Sequence, residues 1–148
     1  MKNLLILLGF ISVLFVSCSS DNDDNNGELP INATNLLGKW YMKGGTISTG
    51  EIVDYTHFCP SKKDFQLFTD ENVTLTRYGV NCDLREVETN LWNLNSDTLK
   101  IFNSMNSPTH EFTFVVEKIT SQELRLKEIE YDYDNNAILV HYIEYTRN

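Results

Sequence analysis

The chain has 148 residues and a formal net charge of −9, from 21 acidic and 12 basic side chains. That length supports one hydrophobic core and not two. The acidic balance excludes a general affinity for nucleic acid, whose phosphates need clustered Lys and Arg, and it disfavours anionic lipid headgroups.

The chain starts Met1-Lys2-Asn3 and continues with an apolar run over residues 4–16. A cationic start, a short apolar stretch and a small residue before a cut describe a secretory signal. The run falls short of the roughly 20 residues that span a bilayer. Phe15-Val16-Ser17-Cys18 resembles the lipobox of bacterial lipoproteins. The resemblance implies a signal peptide over residues 1–17, cleavage before Cys18, and fatty acid of the palmitate type on its sulfur and new amino group. More than one acyl chain is what stable anchoring requires. The alternative is an ordinary secretion signal followed by an unrelated cysteine.

Residues 18–33 then read as the lipidated cysteine and a disordered acidic tether. They are rich in Ser, Asp, Asn and Gly and lack periodicity, so they bury too little apolar surface to order themselves. The acidic run after Cys18 resembles an export signal of some Gram-negative lineages. It implies an outer-membrane lipoprotein at the cell surface, with the periplasmic face as the alternative.

From there the pattern is strand after strand. Strands are expected at residues 36–43, 65–68, 73–78, 98–102, 111–117, 123–129 and 137–146, with 84–89 and 91–94 joining as one bent strand. Alternation, β-branched residues and short polar turns such as Asn95-Ser96-Asp97 carry the assignment. About eight strands with hairpin-length links make an all-β, antiparallel up-and-down meander. Closing it into a barrel removes its edges. The domain is expected over residues 34–148. Cys59 and Cys82, an even pair in an exported chain, are expected to form a disulfide. A metal pair with His57 is the alternative.

Leu36-Leu37-Gly38-Lys39-Trp40 opens the first strand. Cys59, the turn Asp70-Glu71-Asn72, Cys82, and Trp92 ahead of Leu99-Lys100-Ile101 follow in order. Together these resemble the lipocalin-like domains of short bacterial lipoproteins, small β-barrels of the calycin type. The resemblance implies that Trp40 plugs a closed end, that Gly38 permits the turn into it, and that Arg147 packs over Trp40. It also implies a small apolar or amphipathic ligand inside.

Alternation puts Trp40, Met42, Phe65, Leu67, Val73, Leu75, Trp92, Phe112 and Phe114 on inward positions. The candidate ligand-binding set is Trp40, Met42, Phe65, Leu75, Arg77, Trp92 and Phe114. The alternative is that they form core and nothing more. Arg77 shares a face with Val73 and Leu75; inward, it clamps a carboxylate or phosphate head, and at the rim it is solvated. Glu128, Glu130, Asp132 and Asp134 share one face, either a solvated edge or a cation site. They lack the glycine of a calcium loop.

No catalytic role is expected. His57, His110 and His141 are scattered, and no nucleophile elbow or zinc-helix motif occurs. No cofactor and no metal are expected, and a monomer is. The competing function is a structural or protein-interaction module with a filled barrel, working through loops 44–63 and 103–110.

Overall fold

The computed structural model describes residues 27–47, 50–103, 111–132 and 137–147, without the side chains of 130–132 and 137–138. The signal peptide, Cys18, His110 and Asp134 lie outside the described residues, as do the side chains of Glu130 and Asp132.

A single helical turn, α1 (Ala33–Leu36), precedes nine strands: β1 (Gly38–Thr46), β2 (Ile52–Asp54), β3 (Phe65–Phe68), β4 (Asn72–Tyr78), β5 (Leu84–Asn95), β6 (Thr98–Asn103), β7 (Glu111–Ile119), β8 (Glu123–Asp132) and β9 (Ala137–Thr146). All pairings are antiparallel. Strands β3 to β9 follow one another as a meander, and β1 pairs with β3 on one edge and β9 on the other. The expected eight-stranded barrel is therefore closed. The bent strand across 84–94 is continuous.

The ninth strand, β2, was not expected. It is three exposed residues long, too short for alternation to register. It continues the edge of β1 that β3 vacates, with Gly44 facing Asp54 and Thr46 facing Ile52. Gly44 makes this possible: a Cβ there would lie 2.7 Å from the Val53 carbonyl oxygen.

The core fills one end of the barrel. Trp40, Phe68, Val73, Trp92, Leu99, Ile101, Phe114, Val116, Ile119, Leu124, Leu126 and Tyr145 are buried together there with Leu36. Each such aliphatic or aromatic side chain contributes roughly 1.5–3 kcal/mol by leaving water. A register shift between Val116 and Lys118 lets Val116 and Ile119 both turn inward despite odd spacing.

The tether boundary needs correction. Residues 28–33 belong to the fold. Glu28 bridges Thr120, the Leu29 amide donates to the Ile119 carbonyl at 2.8 Å, and Asn32 caps α1 by accepting from the Asn35 amide at 2.9 Å. Leu29 and Leu37 pack on the core. A polar composition concealed one apolar anchor, Leu29, and a good N-cap, Asn32.

Cys59 and Cys82 form the expected disulfide, with 4.8 Å between their Cα atoms. Neither sulfur is left to ligate a metal with His57.

Candidate functional site: the mouth of the barrel

The closed end is sealed by polar contacts made from apolar rings. Gly38 has φ +109°, a conformation that costs any other residue strain. It turns the chain from α1 into β1. The Trp40 indole then donates to the Leu36 carbonyl at 2.8 Å. The Arg147 guanidinium lies 4.2 Å from the Trp40 ring centroid and donates to the carbonyls of Asn35 and Leu37 at 2.8 and 3.0 Å. The orphan carbonyls at the end of α1 are thereby satisfied. Trp92 donates to the Thr69 carbonyl at 2.8 Å and meets Phe68 edge-on at 5.4 Å. Trp40 and Trp92 are thus the floor of the barrel.

Two inward assignments, Phe65 and Leu67, are wrong. Gln66, not Phe65, is the cross-strand partner of the inward Trp40, and directly opposed residues share a face. Phe65 therefore points outward, against Tyr41 at 6.1 Å; its neighbour Leu67 shares that outer face by period two, while Gln66 and Phe68 turn inward.

Above the floor the inner face changes character. A cavity of about 230 Å³ is walled by Val73, Leu75, Ile101, Phe112 and Phe114, and by Gln66, Arg77, Glu86, Glu88 and Asn90. It gathers Leu75, Arg77 and Phe114 of the candidate set. Arg77 reaches Glu86 at 2.9 Å, each side chain 39% exposed. Glu88 accepts from Asn90 at 2.9 Å. Arg77 Nε and Gln66 Oε1 are buried and have no hydrogen-bond partner among the described residues. A donor and an acceptor are thus left unmatched on two residues of the cavity wall. Met42 lines a second recess, of about 440 Å³, beneath the β1–β2 hairpin, with Tyr55, His141, Glu128 and Ile143. Glu128 and His141 are direct cross-strand partners there. Of the four acidic residues expected on one face, Glu128 lies at the mouth.

The β2–β3 connection forms one lip of the mouth, knotted on Asp64, which is fully buried. Its carboxylate accepts from the Tyr55 hydroxyl at 2.7 Å and the Tyr78 amide at 2.8 Å. Its carbonyl accepts from the Met42 amide at 3.2 Å. Its own amide donates to His57 Nδ1 at 3.0 Å. That bond needs a bare Nδ1, so the 4.0 Å approach of Nδ1 to the carboxylate is not an ion pair in the neutral ring. Burial, then the hydrogen bond to Asp64, push the Tyr55 phenol up to about 12. Burial also drives the Tyr145 phenol upward, against the opposing charge of Arg77. The disulfide ties this lip to the β4–β5 turn.

Sequence reasoning missed Gln66, Glu86, Glu88 and Asp64. Gln66 sat between two hydrophobic residues that looked like the inward pair. The pairing of β3 with Trp40 was the signal that could have found it.

Two solved structures share this architecture. A lipocalin-like protein from Bacteroides uniformis superposes with a TM-score of 0.56 at 16% identity, covering 77% of this chain and 99% of that one. An uncharacterized protein from Bacteroides eggerthii superposes with a TM-score of 0.54 at 17% identity, covering 74% and 98%. Such identities establish the fold alone: this chain has the expected lipocalin-like fold. No protein-family model and no curated protein matches it.

Proposed function

We propose that this is an exported lipoprotein, moored through acyl chains on Cys18, that holds a small amphipathic or apolar molecule in the mouth of its barrel. The observation that carries the binding reading is the unmatched pair, Arg77 Nε and Gln66 Oε1, on residues that wall a cavity together with Leu75, Phe112 and Phe114. Buried polar atoms without partners are costly, and a ligand that supplies one acceptor and one donor removes that cost. The cavity is smaller than the roughly 300–1,000 Å³ of most small-molecule sites. The ligand is accordingly small. Its head is neutral, because Glu86 already matches Arg77 and Glu88 adds negative charge. An amide or alcohol fits this pattern better than the carboxylate or phosphate expected for a free arginine.

The test is native mass spectrometry, with solvent extraction, of protein purified from its own host. A bound small molecule lost on Gln66→Leu and Arg77→Met supports the reading. A reproducibly empty barrel sinks it. Anchoring is checked separately by palmitate labelling that Cys18→Ser abolishes.

A second reading, a protein-interaction module, rests on apolar exposure around the disulfide. Phe58, Val80 and Leu84 are 51%, 68% and 60% exposed. Photo-crosslinking from position 58 that recovers one partner, lost with Leu84→Asp, favours it if the barrel proves empty.

A further inference from the structure

The outer wall of the barrel carries a recess of about 420 Å³ where β1, β3, the end of β4 and the end of the chain converge. Lys39, Lys62, Lys63 and Arg147 line it, and none of its lining residues is acidic. Four of the chain's 12 basic residues therefore meet at one place on a strongly acidic protein.

Lys39 and Lys62 are held differently from the cations elsewhere. Lys43, Arg77, Lys100, Lys118 and Arg125 all pair with glutamates. In the recess, Lys39 Nζ sits 4.2 Å from the centroid of Phe65 and 5.9 Å from that of Tyr41. Lys62 Nζ sits 5.0 Å from the Tyr78 centroid and donates to the Cys82 carbonyl at 3.0 Å. Lys63 Nζ lies 5.7 Å from Tyr41. A ring holds an ammonium in place through its quadrupole without cancelling its charge. A carboxylate would have cancelled it. Lys39 and Lys62 are thus positioned while their positive field stays available. The disulfide helps, since it fixes the loop that carries Lys62 and Lys63.

The geometry points to a binding site for a phosphate or sulfate ester in this recess. Ammonium groups arriving from β1 and from the disulfide-bound loop suit a compact multivalent oxyanion. A single carboxylate is better served by a guanidinium fork, and here Arg147 already gives its Nη2 to the carbonyls of Asn35 and Leu37 and has its Nε buried. The volume exceeds what an inorganic anion needs and lies within the small-molecule range, so the ester carries an organic body. This site is on the outside of the wall and separate from the mouth.

The test titrates the full chain, by calorimetry and amide NMR, with glycerol phosphate and a sulfated monosaccharide, each beside its neutral parent. Phosphatidylglycerol vesicles, compared with phosphatidylcholine vesicles, form a second arm that distinguishes a lipid phosphate from a free ester. Saturable binding of the anions only is expected. It weakens as salt rises and shifts the amides of Lys39, Lys62 and Tyr78. The double variant K39Q/K62Q should lose at least roughly tenfold in affinity, K39R/K62R should retain binding, and K100Q, with one cation removed elsewhere, should bind as the wild type does. A response to vesicles alone that K39Q/K62Q abolishes assigns the recess to lipid phosphate. Absence of any anion response, or binding that K39Q/K62Q leaves unchanged while it remains folded by circular dichroism, overturns the proposal.

Discussion

The two ends of this barrel obey different rules. At the closed end the core rings and aliphatic chains are buried and both indoles are matched, Trp40 on Leu36 and Trp92 on Thr69, while Arg147 gives its Nη2 to Asn35 and Leu37 and keeps a buried Nε without a partner among the described residues. At the mouth, charged and amide groups stand among apolar walls, and two buried polar atoms go unmatched. The same strands supply both ends. Apolar burial is concentrated at the closed end, and charged and amide groups gather at the mouth.

That contrast can be broken most sharply at the floor. Trp40→Ala should cost about 3–5 kcal/mol, read as a large drop in the urea midpoint. A loss below 1 kcal/mol would mean that the closed end is not the stabilising half. Next comes the lip. The Cys59–Cys82 bond spans a sequence separation of 23; replacing both cysteines by serine should cost about 3 kcal/mol by the loop-entropy account. Its effect on mouth binding should exceed its effect on the floor, seen as amide exchange that speeds up around Asp64 before it does around Leu124. Gly38→Ala should cost about 1–3 kcal/mol through its left-handed backbone, since the space around it is open and only conformation is at stake. The smallest expected change is at the mouth. Arg77→Met should alter stability by less than about 1 kcal/mol, because its half-exposed ion pair is worth little, while ligand retention disappears.

The alkaline limb sharpens the comparison in a different way. Tyr55 and Tyr145 both have folded pKa values raised above the usual 10.0 of a tyrosine. A raised pKa means the folded state holds the proton more tightly. The associated stability is fully present below pH 10 and is lost as pH climbs through about 12 for Tyr55. Tyr55→Phe should flatten that part of the loss, measured as the urea midpoint against pH. Tyrosinate absorbance should show a late-titrating phenol disappearing in the variant.

The strands of the wall were legible because alternation reports burial of one face. β3, with residues 65–68, and β9, with 137–146, agree at both ends. What alternation does not report is which of two neighbouring residues faces in. Phe65-Gln66-Leu67-Phe68 offers three hydrophobic residues, and only the register with Trp40 decides among them. The Trp40 and Arg147 contact was legible through resemblance, and the geometry bears it out. The basic recess was invisible because its cations are far apart in the chain: Lys39, the Lys62–Lys63 pair and Arg147 meet only when β1 and β3 pair and the barrel closes. Residues 28–33 misled for the opposite reason. Their composition is that of a solvated linker, but one leucine and one capping asparagine suffice to dock them.

That docking, joined to the anchor proposed at Cys18, would set which way the protein stands. Glu28 and Leu29 fasten the incoming segment beside Thr120 and Ile119, at the plugged base. A chain moored at Cys18 has about ten residues, at most roughly 36 Å of reach, before it arrives there. Under the proposed anchor the base would face the bilayer like the foot of a goblet, and the rim would open to the surroundings. Cargo would then come from the water outside rather than sideways from the lipid leaflet below.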